Sequence, residues 1–187
     1  MAAQQESAEG QFLLGRYFAA KDSPDRNEAE SVKWYRLSAE QGYVLAQYAL
    51  GNYYWQKDHE DFQESMKWFR MAAEQGHADA QVNLGLGYCL GKGVPKDRER
   101  EYYWLSLAAK QGNAEGQFLL GKYYLEKDSP DYNVTEVVKW FRMAAEQGYV
   151  LAQNELGMIN YYILKDHKEA ILRKRESVLP LPQQERH

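Results

Sequence analysis

The residues of this chain whose types could do chemistry are four histidines, one cysteine and a scatter of acids. His59, His77, His167 and His187 stand apart, none with a second ligand at the helical or hairpin spacing that a bound metal requires. Cys89 has no second cysteine for a disulfide or a thiolate zinc site, and no serine sits in a nucleophile-elbow sequence. No nucleophile–base set is recognisable, so no catalytic residue, metal site or cofactor is assigned and no enzyme is expected. Gly91-Lys92-Gly93 is not a phosphate loop; it belongs to a recurring turn. Asp22 and Asp25 could hold a cation weakly, but a solvated loop is the simpler reading. Asn133-Val134-Thr135 matches a glycosylation acceptor, yet Asn133 is also placed to start a helix.

Composition narrows the classes further. The 187 residues are 44% hydrophobic and 27% charged, which suits a folded chain. A net charge of −4, with lysines and arginines interleaved among glutamates, argues against a nucleic-acid partner. No stretch approaches the ~18 apolar residues of a membrane span, so no membrane insertion is expected. Met1–Gly10 is polar and shows no apolar leader. With the lone cysteine this predicts a cytoplasmic location, or a periplasmic or secreted one if a leader has been removed.

What would position any functional residue is repetition. Leu-Gly occurs at 14–15, 50–51, 84–85, 120–121 and 156–157, spaced by 36, 34, 36 and 36 residues. Trp34, Trp68, Trp104 and Trp140 keep the same rhythm, and Ala-(Glu/Lys)-Gln-Gly recurs at 39–42, 73–76, 109–112 and 145–148. Such a period belongs to stacked helix pairs. The first helix of a pair, typified by Ala46–Lys57 and Ala114–Lys127, has a glycine midway. A mid-helix glycine costs ~1 kcal/mol relative to Ala, so its recurrence predicts a partner helix packed on the bare backbone. The second helix carries the tryptophan and ends at Gln-Gly, where glycine supplies a left-handed cap.

Helix starts are equally regular. Asn27, Asp61, Asp97 and Asn133 each lie seven residues before a tryptophan and are predicted N-caps. Glu30, Glu64 and Glu136 follow three residues on, a capping-box pattern that Arg100 breaks in the third unit. Pro24, Pro95 and Pro130 fall between helices, where a missing N–H does no harm. The predicted fold is all-α, a solenoid of about five antiparallel helix pairs.

The run Ala-Gln-x-x-Leu-Gly-x-x-Tyr, a loop, Ala-x-x-Trp and Ala-x-Gln-Gly resembles the Sel-one-like repeat, a relative of the tetratricopeptide repeat. Unit three carries it most fully, from Asn83-Leu84-Gly85 through Gly91-Lys92-Gly93-Val94-Pro95 to Trp104 and Gln111-Gly112. Units one, two and four replace the Gly-x-Gly-Val loop with acidic loops such as Lys21-Asp22-Ser23-Pro24-Asp25. The resemblance covers about residues 8 to 165 and implies a right-handed solenoid that works as a scaffold or adaptor. In bacteria it also implies host-interaction, envelope-regulatory or toxin-immunity roles. Some disulfide-rich relatives are linked to β-lactam binding or hydrolysis; this chain lacks their cysteine pairs.

Residues 8–47 and 114–153 match at 29 of 40 positions, which points to duplication of a three-unit block. The predicted organisation is an extension at 1–7, one solenoid over 8–177, and a flexible tail at 178–187. Its units run 8–43, 44–77, 78–113, 114–149 and 150–177, the last a degenerate cap.

Repetition also separates packing from function. Leu14, Leu50, Leu84, Leu120 and Leu156, the four tryptophans, and Phe18, Tyr54, Tyr88 and Tyr124 are expected in the core. Gln11, Gln47, Gln81, Gln117 and Gln153 are expected to hydrogen-bond a neighbouring segment. Positions that vary between units are the candidates for binding. In the related family the first helices line a concave groove, which by the Leu-Gly register selects residues three before, one after and four after each glycine. Phe12, Arg16, Tyr48, Asn52, Trp55, Cys89, Phe118, Lys122 and Tyr161 are the predicted partner-binding set. Val82, Leu86 and Leu125 fit either the groove or contacts between first helices, and Trp55 either role. The expected partner is a protein or peptide, with the oligomeric state open. The alternatives are binding through the acidic loops, or self-assembly of the array.

Overall fold

A computed structural model describes residues 7–56, 61–126 and 130–162. The predicted N-terminal extension, the capping segment after 162, the tail, and His59, His167 and His187 lie outside the described residues, apart from Ser7. Within the described residues every regular element is a helix. These are α1 (Ala8–Ala19), α2 (Glu28–Glu40), α3 (Val44–Gln56), α4 (Phe62–Glu74), α5 (Ala78–Leu90), α6 (Arg98–Lys110), α7 (Ala114–Leu125) and α8 (Val134–Glu146). Residues 150–162 open a fifth pair as α9. Each helix packs on the next, and α5 also touches α7, so the chain is a stack of helix pairs.

The predicted caps hold. Asn27, Asp61, Asp97 and Asn133 each accept the backbone N–H three residues on. The glutamates of the capping pattern do something else. Glu64 and Glu136 accept the indole N–H of Trp68 and Trp140 at 2.9 and 2.8 Å, and each pairs with the lysine three residues on. The N-cap N–H groups of Asn27, Asp97 and Asn133 instead donate to Phe18, Tyr88 and Tyr124, near the end of the preceding helix. At the other end, Gly42 has φ +89°, a left-handed cap that lets Tyr43 N–H reach back to the Ser38 carbonyl.

The Leu-Gly glycines are sites of close approach. A Cβ on Gly15, Gly51, Gly85 or Gly121 would lie 2.3–2.8 Å from Tyr35, Phe69, Leu105 or Phe141 respectively. Each of those residues directly follows the tryptophan of its own unit. Glycine's helix cost is thus the condition for seating one large side chain per pair. Leu50, Leu84 and Leu120 are buried beside it, while Leu14 in the first unit is half-buried.

The repeated glutamines tie three helices together. Gln47, Gln81 and Gln117 donate to the carbonyls of Ala39, Ala73 and Ala109 in the preceding unit. They accept from Gln75, Gln111 and Gln147 at the end of their own unit. At 1% exposure Gln117 is fully enclosed, so this bonding is what permits an amide in the core.

Candidate partner-binding face

The first helices line one side of the stack, and polar pairs bridge two of the spaces between them. Asn83 donates to Asn52 across α5 and α3 at 3.4 Å, and Lys122 on α7 pairs with Glu155 on α9 at 3.2 Å. In both pairs the residue just after one glycine meets the residue two before the next.

The three-before position turns inward instead. Phe118 is buried, its ring 5.4 Å from Phe141 and 5.3 Å from Tyr149. Phe12 lies between Tyr35 and Tyr43, and Tyr48 stacks on His77 at 4.4 Å while meeting Phe69. Val82 is buried as well. Helical geometry explains this correction to the expected groove set. At 3.6 residues per turn, three-before and four-after lie only about 60° and 40° from the glycine, whereas one-after lies about 100° away. A glycine facing the second helix therefore draws its near neighbours inward.

Trp55, a four-after residue, behaves accordingly. It is half-buried against Phe62 and Phe69, with the Lys92 ammonium 5.7 Å from its ring. Arg16 is exposed beside Phe12, and Tyr161 is exposed beside Tyr162. Asn52 and Lys122 are held in the pairs already described.

Between α5, α6 and α7 the face opens into a pocket of about 380 Å³. Its walls are Leu86, Leu105, Leu119 and Leu125, with Lys122 and Glu126 among its polar lining. Cys89 and Glu101 also line it. Of the predicted set, Cys89 and Lys122 meet here, together with Leu86 and Leu125 from the ambiguous positions.

Glu101 is the residue the sequence reading missed. It is only 7% exposed, and burial pushes its carboxyl above the usual carboxylate range, with a hydrogen bond to Cys89 pulling the other way. Burial and the same carboxyl push the Cys89 thiol up to about 11, so it stays protonated and unreactive. The signal that could have found Glu101 was present. Four residues after each N-cap stand Ser31, Ser65, Glu101 and Val137, so the position varies between units. In units one and two the serine hydroxyls donate to the Gly15 and Gly51 carbonyls at 2.8 and 2.7 Å.

Arg98 locks the joint beneath the pocket. Its guanidinium sits 4.0 Å from the Tyr123 ring centre, pairs with Glu126 and with Asp131, and donates to the Tyr123 carbonyl. One acid in each of two inter-helix loops is similarly engaged. Asp25 accepts the Tyr17 hydroxyl at 2.7 Å and Asp131 the Tyr123 hydroxyl at 2.8 Å, equivalent contacts in the duplicated units. Among the described residues no cluster of His, Cys, Asp or Glu is arranged to hold a metal, and no helix is long and apolar enough to cross a membrane.

The Sel1 repeat matches the chain in four consecutive copies, at residues 8–43, 44–77, 78–113 and 114–149. Among solved structures, the chain is similar to c5321, described as a protective antigen present in uropathogenic Escherichia coli strains and displaying an SLR fold. That match has 34% identity and a TM-score of 0.80, and covers 84% of this chain and 34% of that one. A Sel1 repeat protein from Oxalobacter formigenes matches at 34% identity and a TM-score of 0.75, over 84% of this chain and 65% of that one. The chain thus spans about a third of the first protein and just under two thirds of the second. No curated protein matches the chain.

Proposed function

The chain belongs to the Sel1 repeat family, and from that premise we propose that it is an interaction scaffold that binds a protein or peptide along the face formed by its first helices. The observation that carries this reading is the pocket between α5 and α7, a mainly apolar recess on a face where polar pairs bridge α3 to α5 and α7 to α9. Solenoids bind through extended faces of this kind, where a side chain seated in a desolvated recess supplies most of the affinity. Binding through the acidic loops has less support, because Asp25 and Asp131 already serve their own tyrosines. A bacterial regulatory, host-interaction or immunity role would be served by the same surface.

A randomised peptide-display library panned against the whole chain tests this. Leu86 lines the pocket and is half-buried, so Leu86→Lys should abolish retention of the selected peptides. Asp22→Ser, in an exposed loop, should leave it intact. Retention should also survive raised salt, since apolar burial is little screened. Loss with Asp22→Ser or with salt, and none with Leu86→Lys, would overturn the reading.

A further inference from the structure

Glu101 is a buried acid that the repeat does not need. Its counterparts Ser31 and Ser65 satisfy a glycine carbonyl, and Val137 is simply apolar packing. Helix pairs therefore close without a carboxylate at this position. Among the described residues no cation pairs with Glu101. Arg98, whose charge it feels, is committed to Glu126 and Asp131, and Lys122 to Glu155. The lining itself carries two carboxylates, Glu101 and Glu126, against one cation, Lys122, with Lys96 acting on Cys89 from nearby. An ionised carboxylate in an apolar recess is costly unless a partner ion arrives with good geometry.

The recess also has the right shape for such an ion. Leucine walls suit the aliphatic stem of a long basic side chain, which buries its methylenes while its head seeks a counter-charge. Resting on the groove reading above, we propose that this pocket is a subsite for one arginine or lysine of a peptide whose flanking residues are apolar, with Glu101 as the counter-ion. An acidic or neutral anchor would leave the carboxylate unpaired and be rejected. The neighbouring joints lack such a group, so the subsite lies only between the third and fourth units. Specificity is set at one point on an otherwise repetitive face.

The experiment uses the library-selected peptides, synthesised singly, against the whole chain. Selected sequences should share one basic residue flanked by apolar ones. Replacing that arginine by citrulline, or Glu101→Gln in the protein, should each weaken binding by about thirtyfold or more, as for the loss of one partner of a buried charge pair. The two changes together should cost little more than either alone. Glu101→Ser, the residue of units one and two, should bind as weakly as Glu101→Gln, and circular dichroism checks that both variants remain folded. Peptides lost with Leu86→Lys but indifferent to Glu101→Gln, or lacking any basic residue, would overturn the subsite and leave the groove standing. Peptides indifferent to Leu86→Lys would overturn both.

Discussion

Glu101 and His77 are two residues whose protonation the fold shifts, and they pull in opposite directions. Glu101 titrates higher in the folded chain than free, so its neutral form is favoured there. Its stabilising contribution is therefore present in acid and lost as pH rises through the raised value. Glu101→Gln should raise the thermal unfolding midpoint at pH 7. That advantage should shrink as pH approaches the ordinary carboxylate value of about 4.3. Calorimetry of both proteins at several pH values reads this, and an advantage that does not vary with pH would contradict it. His77 is the reverse case. Its Nδ1 accepts the Ala80 N–H as the N-cap of α5, and burial lowers its pKa against the opposing pull of Asp79. Stability is present above the unfolded value and lost as pH falls, because imidazolium has no acceptor left to cap the helix. His77→Asn, matching the cap that Asn113 forms on α7, should remove that share of acid sensitivity below about pH 6.5. In the sequence Glu101 is marked only as a varying position, and His77 carries no mark of its role. A histidine is not an ordinary N-cap type, and a glutamate at a varying position carries no mark of burial.

At the scale of elements the sequence was far more informative, because helix ends and close approaches impose residue types directly. Caps, the left-handed glycines and the Leu-Gly seats all follow from backbone requirements that recur in each unit, and Asn27, Gly42 and Gly51 could be placed from type and spacing alone. What the spacing could not reveal was the rotation of the first helix about its axis. Gly51 faces Phe69, and that single fact turns Tyr48 and Trp55 inward and leaves Asn52 on the open side. The glutamine links give this scale its own test. Gln117→Leu would keep the volume but remove two hydrogen bonds, one to the Ala109 carbonyl, which retains the Gly112 N–H, and one from the Gln147 amide. The expected loss is about 1 kcal/mol, from ~0.5–1.5 kcal/mol net for an intramolecular hydrogen bond. Urea unfolding measures it, and an unchanged midpoint would show that the links are incidental.

Across the whole molecule, each unit touches only its neighbours, so one joint can be specialised without disturbing the rest. The joint between units three and four is the specialised one, with Arg98 locking α6 to α7 and Glu101 set in the recess above it. The duplication of units one and two as units four and five brackets this joint and reuses its tyrosine–aspartate contact at Asp25 and Asp131. Repetition builds the scaffold, and the departures from repetition are where a partner is read. The most direct measurement of that claim is a map of backbone amide shifts in the whole chain, labelled with ¹⁵N and saturated with one library-selected peptide. Shifts should concentrate on α3, α5 and α7, around Asn52, Leu86 and Lys122. A map confined to the outer second-helix residues Lys67 and Lys139, or to the loop at 21–26, would contradict it.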